Sequence, residues 1–123
     1  GKLGRIPLKV LINQLKKSLQ IPFVRVVGEV EKEVSKVGIC WGGLGHSEFA
    51  AACARILEAE AIIVGDMTEE LARYAHETGL SVIDCFHCVT EMPVMEALAR
   101  KIKEKFPVLK VLFIPNDLPW KVI

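Results

Sequence analysis

A chain of 123 residues with 16 basic and 15 acidic side chains carries a formal charge of +1 and fits one domain, residues 1–123. That balance gives no electrostatic footprint for nucleic acid or an anionic membrane, and no apolar run approaches the ~20 residues of a membrane span. Hydrophobic residues at 51% and charged ones at 25% are ordinary for a globular protein, which at this length buries roughly 65% of its unfolded surface. No charged n-region followed by an apolar h-region marks a signal peptide. The four cysteines (Cys40, Cys53, Cys85 and Cys88) are therefore expected as reduced thiols of a cytoplasmic protein. The chain starts Gly1-Lys2-Leu3 without Met, as start-Met removal, a tag remnant or a fragment of a longer protein would each leave it.

Pro7 opens the first helical pattern. Leu8, Leu11, Ile12, Leu15 and Leu19 recur at the helical period with Lys9, Lys16 and Lys17 opposite, which predicts an amphipathic helix over 7–19, ended by Pro22. Phe23 to Val27 is β-branched and aromatic, as a strand requires, and 29–33 is a charged turn or an exposed continuation. An apolar strand follows over 37–41, then the glycine loop Gly42-Gly43-Leu44-Gly45-His46. Ser47 is the expected N-cap of a helix whose apolar face is Phe49, Ala52, Cys53, Ile56 and Leu57. A strand is expected over 61–64, a helix over 68–78 on Leu71, Tyr74 and Ala75 stopped by Gly79, and a strand over 80–83. A longer helix over 91–106, with Pro93 in its first turn, would bury Val94, Leu98, Ile102 and Phe106. A last strand is expected over 108–114, stopped by Pro115. Alternating strands and helices predict an α/β fold of three layers: a mainly parallel or mixed sheet with helices on both faces.

Ligands of open α/β sheets bind beyond the carboxyl ends of the strands. The four expected exits carry Gly42, Gly43, Gly45 and His46; Asp66; Asp84, Cys85, His87, Cys88 and Glu91; and Asn116 and Asp117. The third is the densest. His87 just past a strand and Glu91 at the opening of the next helix are one turn apart, so both can address one space. Imidazole nitrogen with carboxylate oxygen suits zinc, iron, manganese or nickel, yet two ligands make only part of a metal site. The competing reading has His87 bonded to backbone and Glu91 simply favouring a helix N-terminus.

Other readings bear on the same stretch. Cys85-x-x-Cys88 between strand and helix could be a redox pair or simple packing. A structural zinc on Cys85, His87 and Cys88 would need a fourth ligand, and adjacent His87 and Cys88 tend to point apart. The glycine loop could cradle phosphate, but it lacks the Lys-Ser/Thr of a P-loop and reads better as a tight turn. His46 reads as an exposed loop histidine or a substrate contact, His76 as solvated, Asp66 as a cap for residues 67 onward, and Cys40 and Cys53 as core.

One set of features occurs in a familiar order: Leu3-Gly4-Arg5 ahead of a helix, a valine-rich strand ending Val27-Gly28, and the glycine loop Gly42 to Gly45. Ile63-Val64-Gly65-Asp66, Ala75-His76-Glu77-Thr78-Gly79-Leu80, His87-x-x-x-Glu91 and Pro115-Asn116 follow. Nearly the whole chain thus resembles the second half of the NGG-interacting-factor-three-like family, whose bacterial members are commonly labelled GTP cyclohydrolase I type two homologues. The resemblance implies a metal-dependent hydrolase with a dinuclear centre in a cleft between two similar α/β halves, and homo-oligomeric rings of subunits. It places the family's H-x-x-x-E ligands on His87 and Glu91, and the divalent metal's remaining ligands, a His-His pair and an aspartate, on a missing N-terminal half. No His-His pair occurs among this chain's three histidines, so either the chain is a fragment or split form that lacks its first half or the metal site has been lost. The family's usual glycine before the histidine is Phe86 here, and Cys88 stands at an often aromatic position. The alternative reading is a non-catalytic oligomeric assembly or regulatory module.

Overall fold

The two continuous apolar runs of the sequence become the centre of the sheet. The computed structural model describes residues 1–45, 47–116 and 118–120. In chain order the elements are strand β1 (Lys2–Pro7), helix α1 (Leu8–Leu19), strands β2 (Arg25–Val27) and β3 (Glu33–Cys40), and helix α2 (Ser47–Ile56). Strand β4 (Ala61–Val64), helix α3 (Glu69–Thr78), strand β5 (Ser81–Asp84) and helix α4 (His87–Lys105) follow. The strands form one mixed sheet in the order β1-β3-β4-β5-β2. β3, β4 and β5 run parallel in register, and the edge strands β1 and β2 pair antiparallel with β3 and β5.

Residues of β4 and β5 are buried without exception, because helices cover both faces and side chains alternate between them. Ala61, Ile63, Ile83 and Cys85 pack with Leu8 and Leu11 of α1 on one face. Ile62, Val64 and Val82 pack with Ala50 and Ala54 of α2 and Leu71 and Ala75 of α3 on the other. The expected three-layer α/β architecture is therefore the observed one.

α3 is delimited as its sequence indicates: the Thr68 hydroxyl accepts from the Leu71 amide at 3.2 Å, and Gly79 closes the helix in the left-handed region at φ 73°. The start of β4 is fastened by Glu60, whose carboxylate accepts from the amides of Ser35 (2.7 Å) and Lys36 (3.0 Å) and from the Ser35 hydroxyl. Those amides first, then the hydroxyl and nearby Arg5, lower its pKa from the usual 4.5 to about 2. A carboxylate depressed in the fold stabilises it above the unfolded pKa, and that contribution fades as pH falls from about 4.5 to about 2. Urea midpoints measured from neutral to acid pH are expected to fall more steeply for the parent than for Glu60→Gln; parallel curves would remove Glu60 from the account.

Four expectations are corrected. α4 begins at His87, not at 91, which puts Pro93 inside the helix. Its expected buried stripe is open, with Val94 50%, Leu98 47% and Phe106 46% exposed and no residue of the helix buried. The apolar run 108–114 is not a strand: it pairs with no described strand, and Val108 and Ile114 are 92% and 81% exposed. α2 sits on the sheet through Ala50 and Ala54, whose small side chains allow close approach, leaving Phe49, Ile56 and Leu57 outside.

Candidate functional site

Three parallel strands end along one edge, and each delivers a part of the site. β3 leads into a 3-10 turn over Gly42–Gly45, β4 into Gly65-Asp66, and β5 into Cys85-Phe86 and α4. Because α4 starts at His87, residues 87 and 91 lie one helical turn apart on one face. His87 Nε2 is 3.1 Å from Glu91 Oε1. From the neighbouring strand exit, Asp66 Oδ2 comes within 2.6 Å of His87 Nδ1. All three side chains are between 38% and 47% exposed, so the cluster is open to solvent. The hydrogen bond with Asp66 chiefly, aided by the charges of Asp66 and Glu91, raises the His87 pKa above its ordinary value.

A buried anchor holds these parts in register. Asp84 is fully buried at the end of β5; its Oδ2 accepts from Arg25 Nε at 2.8 Å, from the second Arg25 nitrogen, and from the Met67 amide at 3.3 Å. Its Oδ1 accepts from the Phe86 amide at 2.9 Å. One carboxylate thus ties the residue after Asp66 to the residue before His87. Phe86 has φ 68° and ψ 144°, a backbone region that side chains rarely occupy, and its ring packs against Phe23 and Trp120 at centroid distances of 5.5 and 4.7 Å.

The glycine loop makes room for α4. A Cβ on Gly42, itself at φ 56°, would lie 2.1 Å from Glu91 Oε1, and one on Gly65 would lie 2.7 Å from Thr90 Oγ1. The Gly42 amide donates to that same Thr90 hydroxyl at 3.1 Å. Gly42→Ala is expected to displace the Glu91 carboxylate from His87 and to cost about 1–2 kcal/mol for the left-handed backbone. Denaturant unfolding beside a zinc titration checks both effects; unchanged zinc affinity would remove the loop from the site.

Beside His87 opens a cleft of about 820 Å³, walled by Phe23, Phe86 and Trp120 with Arg25, Asp66 and Asn116 as polar groups. The structure thus brings His87 and Glu91 together, as their spacing predicts, and adds Asp66, which is not the cap of α3. Arg25 and Thr90 escaped the sequence reading; the signal for Arg25 is a lone cation inside an apolar strand, which needs a partner. The C-x-x-C pair is divided: Cys85 is buried in the core, its thiol pushed up to about 12 by burial and then by Asp84, while Cys88 is half-buried on α4. A thiol held protonated is neither nucleophile nor metal ligand. Among the described residues no three His, Cys, Asp or Glu side chains converge as a metal cage. Asp66 and Glu91 flank opposite nitrogens of one imidazole, so they do not share a cation. His76 is exposed on α3; His46 and Asp117 lie outside the described residues. No described helix is long and apolar enough to cross a membrane.

A mixed α/β domain with an acid–imidazole–acid cluster at the carboxyl ends of its parallel strands is the class of molecule these features define. The profile of Duf34/NIF3 (NGG1p interacting factor 3) matches residues 1–119, and the chain belongs to that family. It is 33% identical over 95 residues to a "GTP cyclohydrolase 1 type 2 homolog" of Clostridium perfringens, covering 77% of this chain and 35% of that protein. A protein of the same description from Pyrococcus horikoshii is 32% identical over 110 residues, covering 89% of this chain and 42% of its own length. The crystal structure of Staphylococcus aureus protein SA1388 superposes with a TM-score of 0.79 at 25% identity, over 99% of this chain and 40% of that one. The chain spans 29–42% of the curated relatives it matches.

Proposed function

We propose that this chain is the metal-binding second half of a metal-dependent hydrolase, with His87 and Glu91 as its contribution to a dinuclear centre. The observation that carries the reading is the 3.1 Å separation of His87 Nε2 and Glu91 Oε1 at an open sheet edge. Two ligands each about 2.0–2.2 Å from one zinc ion, at angles near 90–110°, stand about 2.8–3.6 Å apart. The donor set of one imidazole and one carboxylate fits zinc, iron, manganese or nickel. Such a cation supplies Lewis acidity and lowers the pKa of water. His87 and Glu91 hold and orient it, and the aromatic cleft beside them positions a substrate whose identity stays unassigned.

The remaining ligands come, in this reading, from a partner α/β half. The exposed apolar surface supports that assignment. α4 and residues 111–114 enclose a groove of about 460 Å³ that begins at Glu91 and Met92 and runs along Met95, Leu98 and Ile102. An apolar surface of this kind, continuous with an incomplete donor set, suits burial by a complementary half, and assembly into a cytoplasmic homo-oligomer belongs to the same proposal. One observation favours a second reading, a non-catalytic assembly module: the described residues offer no third donor beside His87 and Glu91.

Elemental analysis of the chain purified without chelator separates the two. Bound divalent metal is the expected result. A metal-free, stable oligomer that takes up none on titration would sink the hydrolase reading and leave the module.

A further inference from the structure

We infer that Asp66 is a positioning residue for His87: its carboxylate holds the Nδ1–H and thereby commits Nε2 to the space shared with Glu91. The inference rests on the reading in which Nε2 and Glu91 take a divalent cation. Nothing in the local sequence gives Asp66 this task, since it stands 21 residues from His87 and looks like a helix cap.

The two contacts of the ring differ in kind. Two ligands of one first-row cation cannot approach closer than about 2.8 Å without leaving ordinary bond lengths and angles. The 2.6 Å between Nδ1 and Asp66 Oδ2 is below that limit and matches a charge-assisted hydrogen bond, whereas the 3.1 Å at Nε2 fits both a hydrogen bond to Glu91 and a pair of co-ligands. The shorter contact therefore places a proton on the Asp66 side, and the reading that gives Glu91 a cation leaves that cation to Nε2. An imidazole with no partner on Nδ1 is free to carry its proton on Nε2, where it would block a cation, and the partner's hydrogen bond decides between the tautomers.

Asp66 is itself well placed to decide. Thr68 caps α3, so the Asp66 carboxylate is not used there. The amides of Met67 and Phe86 both donate to the buried carboxylate of Asp84, at 3.3 and 2.9 Å. The residue after Asp66 and the residue before His87 are thus fixed to one point, and the distance between the pair is set by the sheet rather than by two loops moving independently. An orienting carboxylate on the far nitrogen of a metal-binding histidine is worth about 10–100-fold in metal affinity.

The test uses side-chain ¹⁵N spectra of the metal-free chain at a pH where the ring is neutral, with His46 and His76 as internal references, followed by zinc titration. The parent should show His87 protonated on Nδ1. Asp66→Ala should move the proton to Nε2 and weaken zinc by about 10–100-fold, while Asp66→Asn, which keeps a carbonyl acceptor, restores most of the Nδ1–H form. A parent already protonated on Nε2, or a tautomer indifferent to Asp66→Ala, overturns the inference. Equal zinc affinities of parent and Asp66→Ala overturn its bearing on the cation. A parent with the Nδ1–H tautomer that takes up no zinc supports the positioning role and defeats only the metal reading.

Discussion

Replacing His87 and Glu91 together with alanine is expected to abolish divalent-metal uptake while leaving the fold unchanged. Structural zinc sites of four ligands are worth ~10–16 kcal/mol, or ~3 kcal/mol for each ligand, so each single substitution should weaken binding roughly 100-fold. Both side chains are about half exposed, at 46% and 47%, and neither belongs to a core cluster, so thermal unfolding should move little. Competition of zinc against a chromophoric chelator reads the loss directly. Uptake that survives the double substitution would place the metal elsewhere and remove these residues from the proposal.

Asp84→Ala should produce the largest loss of stability of any substitution near the site. Asp84 is fully buried and answers three donors: the Arg25 guanidinium and the amides of Met67 and Phe86. Removing it leaves two backbone N–H groups without their acceptor and an arginine without its counter-charge. Breaking a buried ion pair from one side costs about 3–5 kcal/mol, a fall in Tm of roughly 10–20 °C for a chain of this size. Arg25 is 54% exposed and can turn to water, so Arg25→Ala should cost less. Differential scanning calorimetry of the two variants ranks them. A Tm for Asp84→Ala within two or three degrees of the parent would show that the anchor adds nothing to the fold.

How far these features are legible in the residues depends on whether they are local. The strands over 61–64 and 80–83 can be read because burial on both faces demands an unbroken apolar run, and α3 because its cap, stripe and stop occupy fixed offsets. β1 hides because Lys2–Pro7 is an edge strand of mixed character whose sheet partner among the described residues is β3, about 30 residues later, with a register shift between Lys2 and Ile6. Residues 108–114 mislead for the opposite reason: an apolar run resembles a strand whether or not a partner lies beside it. The start of α4 is masked by Glu91 and Pro93, which look like the signals of a first turn but sit in the second. Leu and Phe dominate a hydrophobic stripe on paper, yet α2 docks through alanines, since close approach to the sheet favours small side chains. The candidate site divides along the same line. His87 and Glu91 are one turn apart and can be paired by counting. Asp66 meets His87 only because β4 and β5 are neighbours, which no local pattern encodes.

Phe86 couples the backbone before His87 to the wall of the cleft. At φ 68° and ψ 144° it occupies backbone suited to glycine, a conformation that costs other residues about 1–3 kcal/mol. Packing of its ring with Phe23 and Trp120 offsets that cost. The three rings are therefore coupled: a change at Phe23 or Trp120 removes packing that holds Phe86 in its strained backbone beside His87. Phe86→Gly would relieve the backbone and at the same time empty the space the ring fills, so the two effects oppose each other. Backbone strain and ring packing at this one residue thus fix the wall of the cleft together.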